Sequence, residues 1–119
     1  MEESNPIVQK IRKTYDSPLT VAMTYYGMIS TLNNLKLTKR EVELLAFTAT
    51  RGGVVNGGTR AEFVARFKSS KATVNNMVSD LQEIGLLVKN SGKISVNPRL
   101  LLDFSQPLTI QIQLYAPDR

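Results

Sequence analysis

Residues 70–85 constrain the fold of this 119-residue chain more than any other stretch. Ser70 is a preferred N-cap residue, and Gly85 suits the left-handed position that often follows a helix. The apolar residues between them recur at intervals of three and four, so they share one helical face: Val74, Met77, Val78, Leu81 and Ile84. The stretch therefore predicts a short amphipathic helix that buries one side and exposes polar, mostly uncharged residues on the other.

A second helix is predicted immediately before it, over residues 59–67. Thr59 and Glu62 have the spacing of a capping box, in which each side chain accepts a hydrogen bond from the other residue's backbone N–H. Only Lys68 and Ser69 separate this helix from the next N-cap. So short a connection between two helices is typical of a helix-turn-helix.

A β-hairpin is predicted directly after the central helix. Residues 86–89 and 93–96 are short runs with strand propensity, and residues 90–92 suit the turn that joins them. The chain therefore has the order helix, turn, helix, hairpin.

The clearest helix start lies further upstream, where Thr38 and Glu41 form another capping box. Its predicted buried stripe comprises Val42, Leu45, Ala46 and Ala49. The glycine-rich run at residues 52–58 ends the helix. This run lacks the Gly-Lys-Ser/Thr ending of a phosphate-binding loop, so we interpret it as a connection whose two valines supply a short strand beside the hairpin.

Alternation of apolar and polar residues predicts a strand near each end of the chain, over residues 19–26 and 108–115. Pairing of the two would form a small antiparallel sheet beside the helices. A helix from Pro18 onward is the competing interpretation of the first segment, because several of its apolar residues also lie three or four positions apart.

Two shorter elements complete the prediction. Within an N-terminal arm, Asn5 and Pro6 are suited to start a short helix with a basic edge. After the hairpin, Asn97 and Pro98 repeat the same start, and an apolar helical turn follows.

A family resemblance rests on residues 67–94, FKSSKATVNNMVSDLQEIGLLVKNSGKI, which resemble the core of winged helix-turn-helix regulators of the MarR and GntR type. The shared features are a serine before the recognition helix, the Thr73–Val74 pair, a leucine near the helix end, and Gly85–Leu86–Leu87 leading into the wing. The sequence departs from these families at the turn, where Lys68 stands at the position usually filled by glycine and Ser69 follows it, and in its very short wing.

The resemblance implies an α+β fold, a winged helix-turn-helix with a three-helix core and a β-hairpin wing over residues 37–97. An arm at 1–17 and a helical turn and strand at 98–119 would complete a single domain over 1–119, and the terminal segments would add the small antiparallel strand pair. Residues 93–104, KISVNPRLLLDF, more weakly resemble the segment after the wing in some plasmid and phage replication initiators.

Charge favours a polyanionic partner. The chain carries a net charge of +5, and residues 60–99 hold seven basic against three acidic residues, or +4 of that total. Histidine and cysteine are absent, which excludes a thiolate nucleophile, an imidazole base and the usual zinc ligands. We therefore expect neither an enzyme nor a cofactor. No apolar run is long enough to cross a bilayer and no signal peptide opens the chain, so we expect a cytoplasmic location, with nucleoid association or a virion as the alternatives.

The candidate site lies on the central helix and its basic neighbours. A helix with a positive, amide-rich front half suits the DNA major groove, where asparagine can pair with adenine and lysine with guanine. The candidates for base contact are Lys71, Thr73, Asn75 and Asn76. The candidates for phosphate contact are Arg60, Arg66, Lys68, Ser70, Lys89 and Lys93. The alternative is that these residues are only the solvated face of an amphipathic helix.

These observations predict a sequence-reading double-stranded DNA-binding protein that acts in transcription or replication control. A homodimer or higher oligomer is expected, because one recognition helix contacts only a few base pairs, with residues 1–35 and 98–119 as the candidate interface. No membrane or small-molecule partner is expected. The alternative is a winged-helix structural subunit of a larger assembly, for example a phage particle, that does not read DNA. Open edges on the terminal strands would favour it.

Overall fold

A computed structural model describes residues 7–117. Its helices are α1 (Pro18–Leu32), α2 (Lys39–Thr50), α3 (Gly57–Phe67) and α4 (Lys71–Glu83), followed by the strands β1 (Leu87–Asn90) and β2 (Lys93–Val96) and a 3-10 turn (Pro98–Leu100). The described residues thus form an α+β fold with four α-helices and one antiparallel two-stranded sheet. This arrangement is compatible with a winged helix. Across residues 7–117, no helix has the length and apolar character needed to cross a membrane.

The core is centred on α2, which is buried almost all round. Seven consecutive residues, 43–49, are buried, because α1 packs on this helix and α3 and β2 also contact it. The predicted stripe therefore missed Leu44 and Phe47, which are almost fully buried, whereas Val42 is only half-buried. The ring of Phe47 meets Phe63 and Phe67 of α3 at centroid distances of 5.9 and 5.8 Å.

The predicted hairpin is confirmed. Leu87 pairs with Val96, and both side chains are buried, so this end of the hairpin closes over the helices. The predicted strand of the two valines is reduced to one bridge, between Val54 and Ser95. Beside it, the backbone oxygen of Gly53 accepts a hydrogen bond from the N–H of Val96 at 2.8 Å.

The strand predicted at residues 19–26 is wrong, and the competing helix is correct. Ser17 caps α1 by accepting a hydrogen bond from the backbone N–H of Thr20, and Pro18 occupies the first turn, where it loses no helical hydrogen bond. The buried residues, Ala22, Tyr26 and Ser30, recur every four positions. The alternation placed Ala22 and Tyr26 on the polar side of the predicted strand, so it did not reveal this face.

Tyr26 joins α1 to the segment that follows the hairpin. Its hydroxyl donates a hydrogen bond to the backbone oxygen of Leu100 at 2.6 Å. Burial raises the pKa of this hydroxyl, as does the neighbouring Tyr25, so the group remains a donor. Phe104 packs against both tyrosine rings, with centroid distances of 5.6 and 5.7 Å.

The elements predicted near the termini are largely missing. Residues 108–115 form no strand and are exposed, so no terminal strand pair exists in the described chain. Residues 7–17 contain no helix, and the predicted cap at residues 5–6 lies outside the described part. Of the helical turn after the hairpin, only the 3-10 turn Pro98–Leu100 is formed.

Helix α3 begins earlier than predicted. Asn56 is the N-cap, and its Oδ1 accepts a hydrogen bond from the backbone N–H of Thr59 at 2.8 Å. Thr59 is instead buried, and its hydroxyl donates to the backbone oxygen of Val54 at 3.0 Å. Glu62 forms an ion pair with Arg51 at 3.4 Å in place of the predicted capping contact. The glycines at 57 and 58 thus belong to the helix, where the sequence suggested a loop.

Candidate nucleic-acid interface

The two faces of α4 are those that the sequence predicts. Val74, Met77, Val78 and Leu81 are buried. Ile84, predicted to join them, is 47% exposed, because the helix ends at Glu83 and Ile84 is its C-cap. The four candidates for base contact, Lys71, Thr73, Asn75 and Asn76, are all exposed. The helix therefore presents a polar face with no covering segment within the described chain.

The first turn of this face is ordered by its cap. Ser70 Oγ accepts a hydrogen bond from the backbone N–H of Thr73 at 3.1 Å and lies 2.8 Å from its Oγ1. Both hydroxyls are thus engaged with each other, which gives them a structural role beside any contact to DNA. The first turn carries no acidic residue. Lys71 therefore adds its charge to the positive end of the helix dipole, a combination that favours phosphate oxygens.

A hydrogen bond connects α3 to the exposed face of α4. Arg60 Nη1 donates to Asn75 Oδ1 at 2.6 Å. The bond holds the guanidinium beside the polar face of the helix and fixes which end of the Asn75 amide points outward. The amide nitrogen of Asn75 remains a donor, and its oxygen retains a second lone pair.

The connection between α3 and α4 contains a residue in a rarely populated conformation. Lys68 adopts a left-handed backbone conformation, with φ 53° and ψ 48°, as the C-cap of α3. Glycine adopts this conformation without strain, whereas a lysine there costs about 1 kcal/mol or more. The next residue, Ser69, donates its backbone N–H to the oxygen of Val64 at 3.2 Å. The exposed Lys68 side chain thus stands between the two helices.

The remaining basic candidates lie on two other parts of the fold. Arg66 is exposed near the end of α3, with its guanidinium 5.8 Å from the ring centre of Phe67. Lys89 and Lys93 are exposed on the hairpin, where Lys89 pairs with Ile94 and Asn90 with Lys93. No hydrogen bond in the described chain joins these hairpin lysines to α4. The structure therefore brings Arg60 into contact with Asn75 and Ser70 into contact with Thr73, and it leaves the hairpin charges on a separate element.

Acidic residues limit the part of α4 that suits a polyanion. Asp80 follows Asn76 by one turn on the exposed surface, and Glu83 follows Asp80 by another. Only the first two turns of α4 are therefore free of negative charge. The carboxylate of Glu62, on α3, is offset by Arg51, whose guanidinium also lies 4.7 Å from the ring centre of Phe47.

Sequence reasoning missed the two contacts that organise the site around α3. The Asn56 cap had a signal, because asparagine is a preferred N-cap residue. The bond between Arg60 and Asn75 had none, since the two residues are fifteen positions apart and belong to different helices.

A scan against protein-family models, a search of curated proteins and a search of solved structures each gave no significant match to this chain. Its function must therefore be inferred from its own residues.

Proposed function

We propose that this chain is a double-stranded DNA-binding protein of the winged helix-turn-helix type, which reads sequence with α4 and controls transcription or replication without catalysis. One observation carries the proposal. The first two turns of α4 expose a positive, amide-rich face without acidic residues, and the hydrogen bond from Arg60 to Asn75 orders this face.

The polar face has the chemistry for reading bases in the major groove. In DNA recognition of this type, residues near the start of the second helix contact base edges. The side chain of Asn76 is exposed and makes no hydrogen bond within the described chain, so both ends of its amide are available to adenine. Lys71 can donate to the guanine acceptors, and each good pair of this kind contributes about 1–3 kcal/mol of discrimination.

The surrounding cations suit contacts to phosphate. Arg60 and Lys68 lie on the helix-turn-helix, and Lys89 and Lys93 extend the basic surface to the hairpin. Each phosphate that a cation neutralises steepens the salt dependence of DNA binding by about 0.9 in the slope of log K against log salt. Binding that weakens strongly between low and physiological salt is therefore expected.

The test compares two lysines at matched positions. Lys71 is the first residue of α4 and Lys39 the first residue of α2, and both are exposed. A preferred duplex is first selected from a randomised pool, and binding is then measured by fluorescence anisotropy for wild type, Lys71→Ala, Asn76→Ala and Lys39→Ala. We expect Lys71→Ala and Asn76→Ala to weaken binding about tenfold or more and to lower discrimination, while Lys39→Ala binds as wild type. Equal effects of Lys71→Ala and Lys39→Ala would argue against readout by α4.

A structural role within a larger assembly is the second candidate. The observation that favours it is the exposure of large apolar side chains near both ends of the described chain, including Ile7 at 91% and Leu114 at 85%. Such exposure is typical of surfaces that a protein partner covers. The absence of any selected duplex in the first step, together with a particle mass of many subunits, would support this candidate.

A further inference from the structure

The two terminal segments border an open groove on one side of α1. This terminal groove has a volume of about 860 Å³. Its floor is formed by α1, through Val21, Tyr25 and Met28. Its two walls are residues 7–15 and residues 106–114. The groove lies on the terminal segments and α1, so it is separate from the exposed face of α4.

Both walls have the side-chain alternation of β-strands. Every second residue from Ile7 to Tyr15 lines the groove, as does every second residue from Leu108 to Leu114. Within the described chain, no backbone hydrogen bond joins residues 7–16 or 107–117 to another segment. The two segments therefore have the side-chain pattern of strands and lack the partner that a strand requires.

The exposed apolar area of the groove is close to what a small dimer interface requires. The large exposed residues that line the groove are Ile7, Ile11, Leu108, Ile110, Ile112 and Leu114. If a free large side chain exposes roughly 150 Å², their exposed fractions correspond to about 570 Å². That area is close to the roughly 600 Å² that each partner contributes at the lower end of specific interfaces. The radius of gyration, 16.7 Å, also exceeds the roughly 13–14 Å expected for a compact domain of this length, as projecting segments require.

The distribution of charge indicates which of the two walls can pair with the same wall of a second chain. Residues 104–117 contain no charged side chain, so two copies lying side by side bring no like charges together. Residues 108–115 also contain no proline and are rich in β-branched and other apolar residues, which favours strand pairing. The N-terminal wall carries Lys10, Arg12 and Lys13, and two copies of it would repel.

We propose that residues 108–115 pair in antiparallel fashion with the same residues of a second copy of this chain. The backbones complete each other's hydrogen bonds, and the side chains of Ile110 and Ile112 cover the terminal grooves of the two copies. A twofold axis passes through the paired strands, and each copy contributes the same surface. This interface is independent of the proposed DNA binding, because it uses no residue of α3, α4 or the hairpin.

Light scattering on the purified chain tests the proposal with a matched pair of variants. Ile110→Ser/Ile112→Ser alters the face toward the groove, and Gln111→Ser/Gln113→Ser alters the alternate face of the same segment. The measurement is made at roughly 100 μM, where a dimer with a Kd of about 1 μM is almost fully formed. We expect wild type and the glutamine variant to have about twice the 13.2 kDa mass of one chain, and the isoleucine variant to be monomeric. Circular dichroism checks that the helices are retained, since neither pair belongs to the buried core.

Disulfide crosslinking gives a second readout, which is independent of the mass measurement. The chain contains no cysteine, so a cysteine placed at any one of Thr109, Ile110, Gln111, Ile112 and Gln113 is its single thiol. Antiparallel self-pairing predicts a sharp maximum of disulfide-linked dimer at one of these positions, because only the residue at the twofold axis faces its own copy. A monomeric wild type, dissociation by the glutamine variant, a mass above that of a dimer, or equal crosslinking at all five positions would each overturn the proposal. DNA binding is measured separately, so its failure does not affect this result.

Discussion

Arg60 Nη1 lies 2.6 Å from Asn75 Oδ1, so the first turns of α3 and the exposed face of α4 are joined by a direct hydrogen bond. The bond places a guanidinium and an amide side by side on the surface. In the proposed DNA complex, the first group would contact phosphate and the second a base.

Arg60→Lys is expected to separate these two roles. Lysine keeps the positive charge but lacks the planar fork that orients the Asn75 amide. Affinity for random duplex should therefore change little, while discrimination for the selected duplex falls toward that of Asn75→Ala. Anisotropy titrations with both duplexes measure the ratio. Arg60→Ala provides the comparison, since it should also reduce the salt slope by about 0.9.

Lys68→Gly is expected to stabilise the fold and weaken DNA binding together. Glycine adopts the left-handed conformation at φ 53° without strain, which favours the folded state. Glycine also gives the unfolded chain more conformational entropy, which offsets part of this effect. The net result should be a gain of about 0.5–1 kcal/mol in the free energy of unfolding. Urea denaturation measures this gain, and anisotropy measures the lost phosphate contact.

Lys36→Gly is the control for that variant. Lys36 has a similar φ, 55°, and lies in the connection between α1 and α2, outside the proposed interface. It should give the same stabilisation with no change in DNA affinity. A loss of affinity in both variants would indicate that total charge matters and that the position of Lys68 does not.

Two buried threonines are expected to respond to valine in opposite directions. The hydroxyl of Thr48 is buried without a hydrogen-bond partner in the described structure, so Thr48→Val should leave stability unchanged or raise it by about 0.5–1 kcal/mol. Thr59→Val removes the bond to the Val54 oxygen and should destabilise by about 1–2 kcal/mol. Thermal and urea unfolding of the two variants measure the change in the free energy of unfolding for each. Destabilisation by Thr48→Val would show that the Thr48 hydroxyl has a hydrogen-bond partner.

Tyr26 should make stability sensitive to high pH. Its pKa in the folded chain lies above its ordinary value of 10.0 because of burial and Tyr25, so the folded state retains a proton that the unfolded state loses. The resulting stability is fully present below pH 10 and is lost as pH rises above it. Urea unfolding between pH 8 and pH 11 should show a decline that is smaller in Tyr26→Phe.

At neutral pH the same variant tests the hydrogen bond to Leu100. Tyr26→Phe leaves the partly buried carbonyl of Leu100 without its donor and should cost about 1–2 kcal/mol. Tyr25→Phe is the control, because Tyr25 is only half-buried and its hydroxyl has no hydrogen bond in the described chain. It should change stability by less than about 0.5 kcal/mol.

The elements predicted correctly from sequence are those specified by nearby residues. Helix α4 has its cap, apolar face and final glycine within sixteen positions, and Gly85 indeed takes the left-handed conformation, with φ 84°. The capping box of α2 is formed as predicted, with both hydrogen bonds between Thr38 and Glu41 present. The hairpin turn likewise needs only local conformations, at Ser91 and Gly92.

The errors arose where distant contacts decide the structure. The apolar residues of 19–26 fit both the two-residue period of a strand and the 3.6-residue period of a helix, and packing on α2 selects the helix. Residues 108–115 have a strand pattern, but no segment of the described chain lies beside them to complete the hydrogen bonds. Of the candidate site, the sequence predicted which side chains are exposed on α4. The hydrogen bond from Arg60 to Asn75 depends on how α3 and α4 pack, so it could not be predicted from the sequence.

Two contacts determine how far the chain can be truncated without loss of the fold. They are the hydrogen bond from Tyr26 to Leu100 and the packing of Phe104 on the rings of Tyr25 and Tyr26. A fragment that stops at the hairpin would remove both contacts and expose the surface of α1 that they cover. Proteolysis from the N-terminal side should therefore stop near residue 17. In the monomeric variant Ile110→Ser/Ile112→Ser, which lacks the proposed strand pairing, proteolysis from the C-terminal side should stop near residue 104. The smallest fragment expected to unfold cooperatively is the one between these two boundaries.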